Sequence, residues 1–407
     1  MGKSKFDLGV LPAFTYSGIP KSGHKLVDLR SLGILPGIGG GAVNKGFNAA
    51  ADLVTTTADG VDLNDLWSEF QDTMTLQNAT RQTLVDFMTF PVTNPVDRVG
   101  QISSADFEKA SEYGEPVGVR PGVGYFTLGY DFEWYDIASR YTWKFLADAP
   151  ASQVQAINAM IIEADNRNVF KGVMNALFSN VNRLADINGQ QDVNVYALYN
   201  ADGTVPPPSG TNTFDGTHNH YMVSGGAAIT SEDLDDLYSN VAEHGYSWEN
   251  GTTFIVLANE IEVDVIRSFR IANGDKWDFI PAAGSPSIFF DNPSQTILGA
   301  GQVSSTYKGL NVAGAYGPML IVQSELIPAK YIAGIATGGK ANLNNPVGLR
   351  EHSNASLRGL RLVKGANADY PLIDSFYQRG FGTGIRQRGG AAVMQIKATG
   401  SYVPPTF

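Results

Sequence analysis

GYFTLGYDFEWYDI, residues 124–137, alternates almost without fault. Phe126, Leu128, Tyr130, Phe132 and Trp134 fall on one side, and Thr127, Gly129, Asp131, Glu133 and Tyr135 on the other. Side chains along a strand point to opposite faces in turn, so this period of two marks a strand with one face to bury. Twelve residues at ~3.4 Å each would reach roughly 40 Å, longer than a usual globular strand. The residues before it, 95–123, are Gly, Pro, acidic and small, with little core of their own. The aromatic face needs a partner that its neighbours in sequence do not supply.

Working outward, VDRVGQIS (from Val96) reads as a weak strand, and SADFEKASEYGEPVGVRPG as a long polar connection. With the aromatic strand they form a hairpin of about forty residues that leaves the body of the protein. Residues 138–147 turn the chain with a short helix. Residues 150–180 are the clearest helix, with Pro150 suited to the first turn and Val154, Ile157, Ile161, Ala164, Val173 and Leu177 as its apolar stripe. Gly172 inside it is a weak point worth about 1 kcal/mol relative to Ala.

Upstream, residues 62–88 predict a helix, with an interruption, that Asp62 or Asn64 could cap. Residues 1–60 hold short apolar pieces separated by Gly and Pro and read as an extended arm that lies on a partner. Downstream, QDVNVYALYN, TTFIVLAN, GLNVAGAYGPMLIVQS and AKYIAGIAT predict strands. TSEDLDDLYSNVAEHG is a helix with Thr230 or Ser231 as cap, and EIEVDVIRSF is another, together making an α/β domain with a mixed sheet. Residues 340–390 read as loop-rich and basic, and 391–398 as a last strand.

Composition narrows the classes. The chain has 407 residues and no cysteine, which excludes disulfides, thiol nucleophiles and Cys-ligated zinc. No apolar run approaches the ~20 residues that cross a bilayer, and the N-terminus lacks the apolar core of a signal peptide. Between residues 184 and 306 there are sixteen Asp/Glu and three Lys/Arg, an acidic stretch unlike a nucleic-acid surface. From Gly348 to Gly390 there are seven Lys/Arg and three Asp/Glu.

Few residues suggest chemistry. His218 and His220 in DGTHNHY could grip a metal with Asp215, against the plainer reading of a polar loop. LPGIGGGAVNKG (35–46) mimics a phosphate loop but lacks a preceding strand and the Gly-Lys-Ser/Thr ending. RGFGTGIRQRGG (379–390) is either a contact with nucleic acid or with neighbouring chains, or a turn-rich loop with solvated arginines. The acidic pairs Asp235/Asp236 and Glu260/Glu262 read as solvated helix positions rather than a glycosidase pair. No catalytic, cofactor-binding or metal-binding residue is expected.

The order of these elements, with GYFTLGYDFEWYDIASRYTWKFL, GTHNHYMVSGG and HGYSWENGTTFIVLAN, resembles the major capsid proteins of tailed bacteriophages, the Hong Kong 97-type fold, and most closely those of actinobacterial phages. The resemblance covers nearly the whole chain. It implies an α+β fold: an N-arm (1–60), the first part of a peripheral domain (61–94), an E-loop hairpin (95–137), a peripheral domain with a long spine helix (138–183), an axial domain (184–338), a peripheral return (339–390), and a C-terminal strand and tail (391–407). It implies a structural protein, not an enzyme, with no cofactor and no membrane partner. The chain would self-assemble into hexamers and pentamers of an icosahedral head. Its further partners would be a separate scaffolding protein, a portal, decoration proteins and, non-specifically, packaged double-stranded DNA. The location would be the virion, after assembly in the bacterial host cytoplasm. By the same resemblance Phe126, Leu128, Tyr130, Phe132 and Trp134 contact a neighbouring subunit. Some family members join a hairpin Lys to an Asn with help from a Glu, for which Lys109, Asn354 and Glu351 are the candidates. An encapsulin-type nanocompartment shell is the near alternative, and a soluble α/β hydrolase the distant one.

Overall fold

The computed structural model describes residues 56–79, 83–100, 109, 110, 112, 114, 125–187, 191–282, 303–364 and 372–407. The expected arm up to residue 55, the 35–46 stretch and most of the hairpin tip lie outside the described residues.

The interrupted helix is α1 (Leu63–Ala79) and α2 (Thr83–Met88). Asp62 Oδ1 accepts the Asn64 N–H at 2.8 Å, which satisfies one of the free donors of the first turn. Next come β1 (Thr89–Val92), β2 (Val96–Gly100) and β3 (Tyr125–Gly129). The aromatic stretch is not one strand. It breaks at 130–132 and resumes as β4 (Glu133–Thr142), which runs on through 138–142, expected to be helical. The short helix α3 (Trp143–Asp148) starts only where Thr142 Oγ1 caps the Phe145 N–H. The long helix α4 (Ala151–Phe178) matches its expectation.

Then follow β5 (Arg183–Ile187), β6 (Gln191–Val195), β7 (Tyr221–Val223), α5 (Ser231–Ala242), β8 (Thr253–Ala258) and α6 (Glu260–Arg267). Thr230 caps α5 in a reciprocal box with Asp233, as its Thr and acidic first turn predict. The chain continues through β9 (Phe279–Pro281), β10 (Thr306–Tyr307), β11 (Leu310–Asn311), β12 (Gly314–Tyr316), β13 (Met319–Gln323) and β14 (Tyr331–Thr337). It ends with β15 (Val347–Glu351), β16 (Arg361–Lys364), β17 (Leu372–Ile385) and β18 (Ala391–Gln395). The segment 340–390, expected to be loop-rich, therefore carries three strands.

The chain divides into two compact units. One takes in the described residues up to Leu76, with Ile137–Ile162 and Leu362–Tyr377. Its core is Leu63, Leu66 and Phe70 from one face of α1, with Leu146, Ala151 and Val154. The Ala151 N–H, free at the start of α4, donates to Asp59 at 3.0 Å.

The other unit is Gln77–Asp136, Glu163–Arg361 and Gln378–Phe407. It holds a seven-stranded mixed sheet in the order β7-β18-β14-β8-β13-β12-β9. β8 runs parallel to β13 and antiparallel to β14. The period of two sorts its side chains between two cores. Phe254, Val256 and Ala258 pack with Leu234, Leu237 and Val241 of α5 and Val263 and Ile266 of α6. Ile255 and Leu257 pack with Val173, Met174, Leu177 and Phe178 of α4 and Phe87 and Met88 of α2. With both faces covered, the strand reads as one unbroken apolar run. The last strand, β18, belongs to this sheet, beside β14 and β7. A second sheet runs β1-β15-β17-β16, with β4 also pairing with β17.

Candidate assembly surface and a buried histidine cluster

β2 and β3 pair antiparallel from Val96↔Gly129 to Gly100↔Tyr125 and form the root of the hairpin. The aromatic residues that follow do not share one fate. Leu128 and Tyr130 are fully buried within this chain. Both were expected to contact a neighbouring subunit, and both have a packing partner in cis.

That partner is a trough made by glycine. Gly380, Gly382 and Gly384 occupy alternate positions of β17 and so share a face. A Cβ on Gly382 would lie 1.7 Å from the Asp131 carbonyl oxygen, and one on Gly348, which pairs with Gly384 across the sheet, 2.3 Å from the Tyr130 ring. The backbone of 129–131 lies where side chains on 382 and 384 would otherwise stand, and the Phe132 and Trp134 rings cover Gly380. The Asp131 N–H donates to Thr383 O at 3.3 Å, and the Asp131 carboxylate accepts the Thr383 N–H and pairs with Arg183 at 2.7 Å. Arg350 Nη1 donates to Tyr130 O at 3.0 Å. Burial pushes the Asp131 carboxyl up, and Arg183 opposes it. The glycine-rich stretch 379–390 is accordingly mostly strand and its glycines serve close packing. Its arginines are engaged: Arg379 with Asp165 in a buried pair, Arg386 with Asp97 at 3.0 Å, and Arg388 with Asp202 at 2.8 Å. The helix position expected to be weak, Gly172, also has a purpose, since a Cβ there would meet Phe381 at 2.8 Å.

The other aromatic candidates are less covered. Phe126, half-buried, packs on Tyr196 with ring centres 4.4 Å apart. Phe132 stands edge-on to Trp134 at 5.3 Å, under the Arg350 guanidinium. Trp134 remains 46% exposed beside His352, and Tyr125 is 71% exposed. Lys109 and Asn354 are exposed. The Asn354 amide oxygen caps a single helical turn by accepting from Ser356 N at 3.0 Å. Glu351 lies 4.0 Å from the Arg379 guanidinium.

One member of each acidic pair has a structural partner. Asp235 pairs with Lys276 at 3.1 Å. Glu262, expected to be solvated, is buried and accepts the Lys330 N–H at 2.8 Å. Among the described residues no helix is long and apolar enough to cross a membrane.

The histidine pair of the 200–220 loop is more than polar loop. Its third member is His244, just past α5, and not Asp215, which accepts from Thr217 N at 2.8 Å in a local turn. The three Nε2 atoms form a triangle with edges of 3.1 Å (His218–His220), 3.0 Å (His220–His244) and 2.8 Å (His218–His244). His220 is fully buried, and its Nδ1 lies 2.7 Å from Ala391 O. Burial holds all three imidazoles below the ordinary histidine range, His220 well below and His244 down to about 3. Sequence spacing could not reveal His244, which lies 24 residues beyond His220 on another element.

A hairpin rooted on a sheet, a long helix, and a helix-covered mixed sheet define the Hong Kong 97-type architecture of phage capsid subunits. No family model and no curated protein matches the chain. A solved structure from Mycobacterium phage Patience is 46% identical, with a TM-score of 0.67, covering 90% of this chain and 97% of that one. An encapsulin complex from Synechococcus elongatus (12% identical, TM-score 0.44, covering 82% and 98%) and the capsid of cyanophage P-SCSP1u (12%, 0.44, 88% and 98%) are more distant likenesses. The chain belongs to the Hong Kong 97-type major capsid proteins of tailed phages, in the actinobacterial branch that the Patience protein represents. It is a structural protein of the virion shell.

Proposed function

We propose that many copies of this chain close an icosahedral head around double-stranded DNA, as hexamers and pentamers assembled in the bacterial host cytoplasm. The 46% identity to the Mycobacterium phage Patience structure over nearly the whole chain carries this reading. The role is scaffold-like rather than catalytic. Exposed Trp134 and Tyr125, with half-buried Phe126 and Phe132, are among the described hairpin residues free to meet a neighbouring subunit. The trough on β17 anchors the base of the hairpin, so a neighbour receives a preformed edge at lower ordering cost. A scaffolding protein, a portal and decoration proteins would be its other partners. An isopeptide bond from Lys109 to Asn354 of a neighbour, helped by Glu351, would lock the shell and release ammonia.

Expression of the chain alone, and again with a co-expressed scaffold, tests this reading by negative-stain electron microscopy. Shells, capsomers or tubes are expected, and a phage-sized diameter would separate a head from a nanocompartment. A folded monomer that stays monomeric across salt and concentration with the scaffold present overturns it. Denaturing gels of mature shells test the isopeptide bond: a ladder of covalent oligomers that Lys109→Arg abolishes is expected, and monomer alone overturns it.

A further inference from the structure

We propose that His218, His220 and His244 bind one divalent transition-metal ion of the zinc class, which staples the 200–220 loop to the end of α5 and the start of β18. The argument begins with hydrogen atoms. Ala391 O can only accept, so His220 Nδ1 carries the proton in their 2.7 Å contact. A neutral His220 then presents a bare lone pair at Nε2. Only His218 and His244 could donate to it. If both do, their own 2.8 Å contact sets two N–H groups face to face. If one does, the other nitrogen confronts the His220 lone pair. No placement of hydrogens on neutral rings satisfies all three edges, whereas a cation that accepts three lone pairs satisfies them together.

The geometry suits that cation. An ion at ~2.0–2.1 Å from each nitrogen would sit roughly 1 Å out of their plane, with the three nitrogens on one side of its coordination shell. An all-imidazole donor set selects zinc, cobalt, nickel or copper over calcium or magnesium. Glu243 Oε1 lies 3.4 Å from His218 Nε2, so a carboxylate stands beside the three nitrogens as a candidate further ligand, with water as the other. The rings are held in place beforehand. Phe214 stacks on His244 at 4.2 Å, and a Cβ on Gly389 would lie 2.7 Å from the His244 ring. The hydrogen bond from His220 to Ala391 O is the outer-shell support that metal-bound imidazoles commonly have. The nearest cation, Arg388, is paired with Asp202 and lies over Tyr199 at 4.6 Å. In a chain without cysteine, this is a crosslink that sequence-distant segments can still form.

The test uses the untagged full-length chain, stripped with a chelator and titrated with zinc chloride by isothermal calorimetry. One zinc per chain and a higher thermal unfolding temperature are expected. His218→Ala, at the rim of the cluster, should weaken binding by more than about 100-fold, beyond the loss typical of an outer-shell change. His352→Ala, whose ring lies against Trp134 instead, should leave binding unchanged. X-ray absorption of the zinc-loaded wild-type chain, which needs no variant to fold, should show about three imidazole nitrogens. Zinc uptake below about a tenth of an equivalent, wild-type affinity in His218→Ala, or an all-oxygen shell overturns the proposal.

Discussion

β8 and β17 are both interior strands, buried by opposite means. β8 fills its surroundings with side chains: Phe254, Ile255, Val256, Leu257 and Ala258 interlock with helices on both faces. β17 removes its side chains at 380, 382 and 384; the backbone of another segment occupies the space at 382 and 384, and the Phe132 and Trp134 rings fill it at 380. Large apolar residues tolerate small errors, because neighbours relax into part of a lost volume. A backbone lying on glycine has no such latitude, because the added atom meets a carbonyl rather than a movable side chain.

This difference can be broken experimentally, and the largest effect is expected in the trough. Gly382→Val should cost more than ~5 kcal/mol and abolish soluble, assembly-competent protein, because its Cβ would coincide with the Asp131 carbonyl. Soluble yield and shell formation measure it, and a variant that assembles normally would show that the hairpin root can leave the trough. Next comes the buried pair at Arg379, on the same strand. Asp165→Asn should cost about 3 kcal/mol by leaving a buried guanidinium with only the longer 4.0 Å contact to Glu351. A denaturant-unfolding cycle with Arg379→Met should return much of that loss in the double variant, and full additivity would show that the pair is not coupled.

In β8, Leu257→Ala should cost about 2–5 kcal/mol and leave a folded, assembling chain, detected as a lowered midpoint of chemical unfolding. The smallest stability effect belongs to the exposed side of the hairpin. Trp134→Ala should change unfolding free energy by only about 1 kcal/mol, the loss of a half-covered ring. Its effect should appear in assembly, as a higher concentration threshold for shells in light scattering. An unchanged threshold would remove Trp134 from the subunit contact.

The same contrast explains what could be read in advance. Helices α1, α4 and α5 were legible because their apolar residues recur at the helical period, strands β8, β13 and β14 because they are short unbroken apolar runs, and caps such as Thr230 carry their own local chemistry. The stretch RGFGTGI was misjudged as loop, since a strand whose covered face is glycine has no apolar alternation to display. The break at 130–132 was hidden for the converse reason. Tyr130 and Phe132 keep the alternation even though the backbone leaves one pairing and joins another.

By itself, the sequence determined the element types of the strongly periodic segments, the absence of thiol chemistry, and an aromatic hairpin root that had to find a partner. Only the tertiary structure decided which partner. It placed Leu128 and Tyr130 against their own chain and left Trp134 and Tyr125 outward, and it carried His244 to His218 and His220. Periodicity reports which face of an element must be buried, because burial acts on each side chain in turn. It does not report what covers that face, because contacts between distant segments are set by the packing of the whole chain.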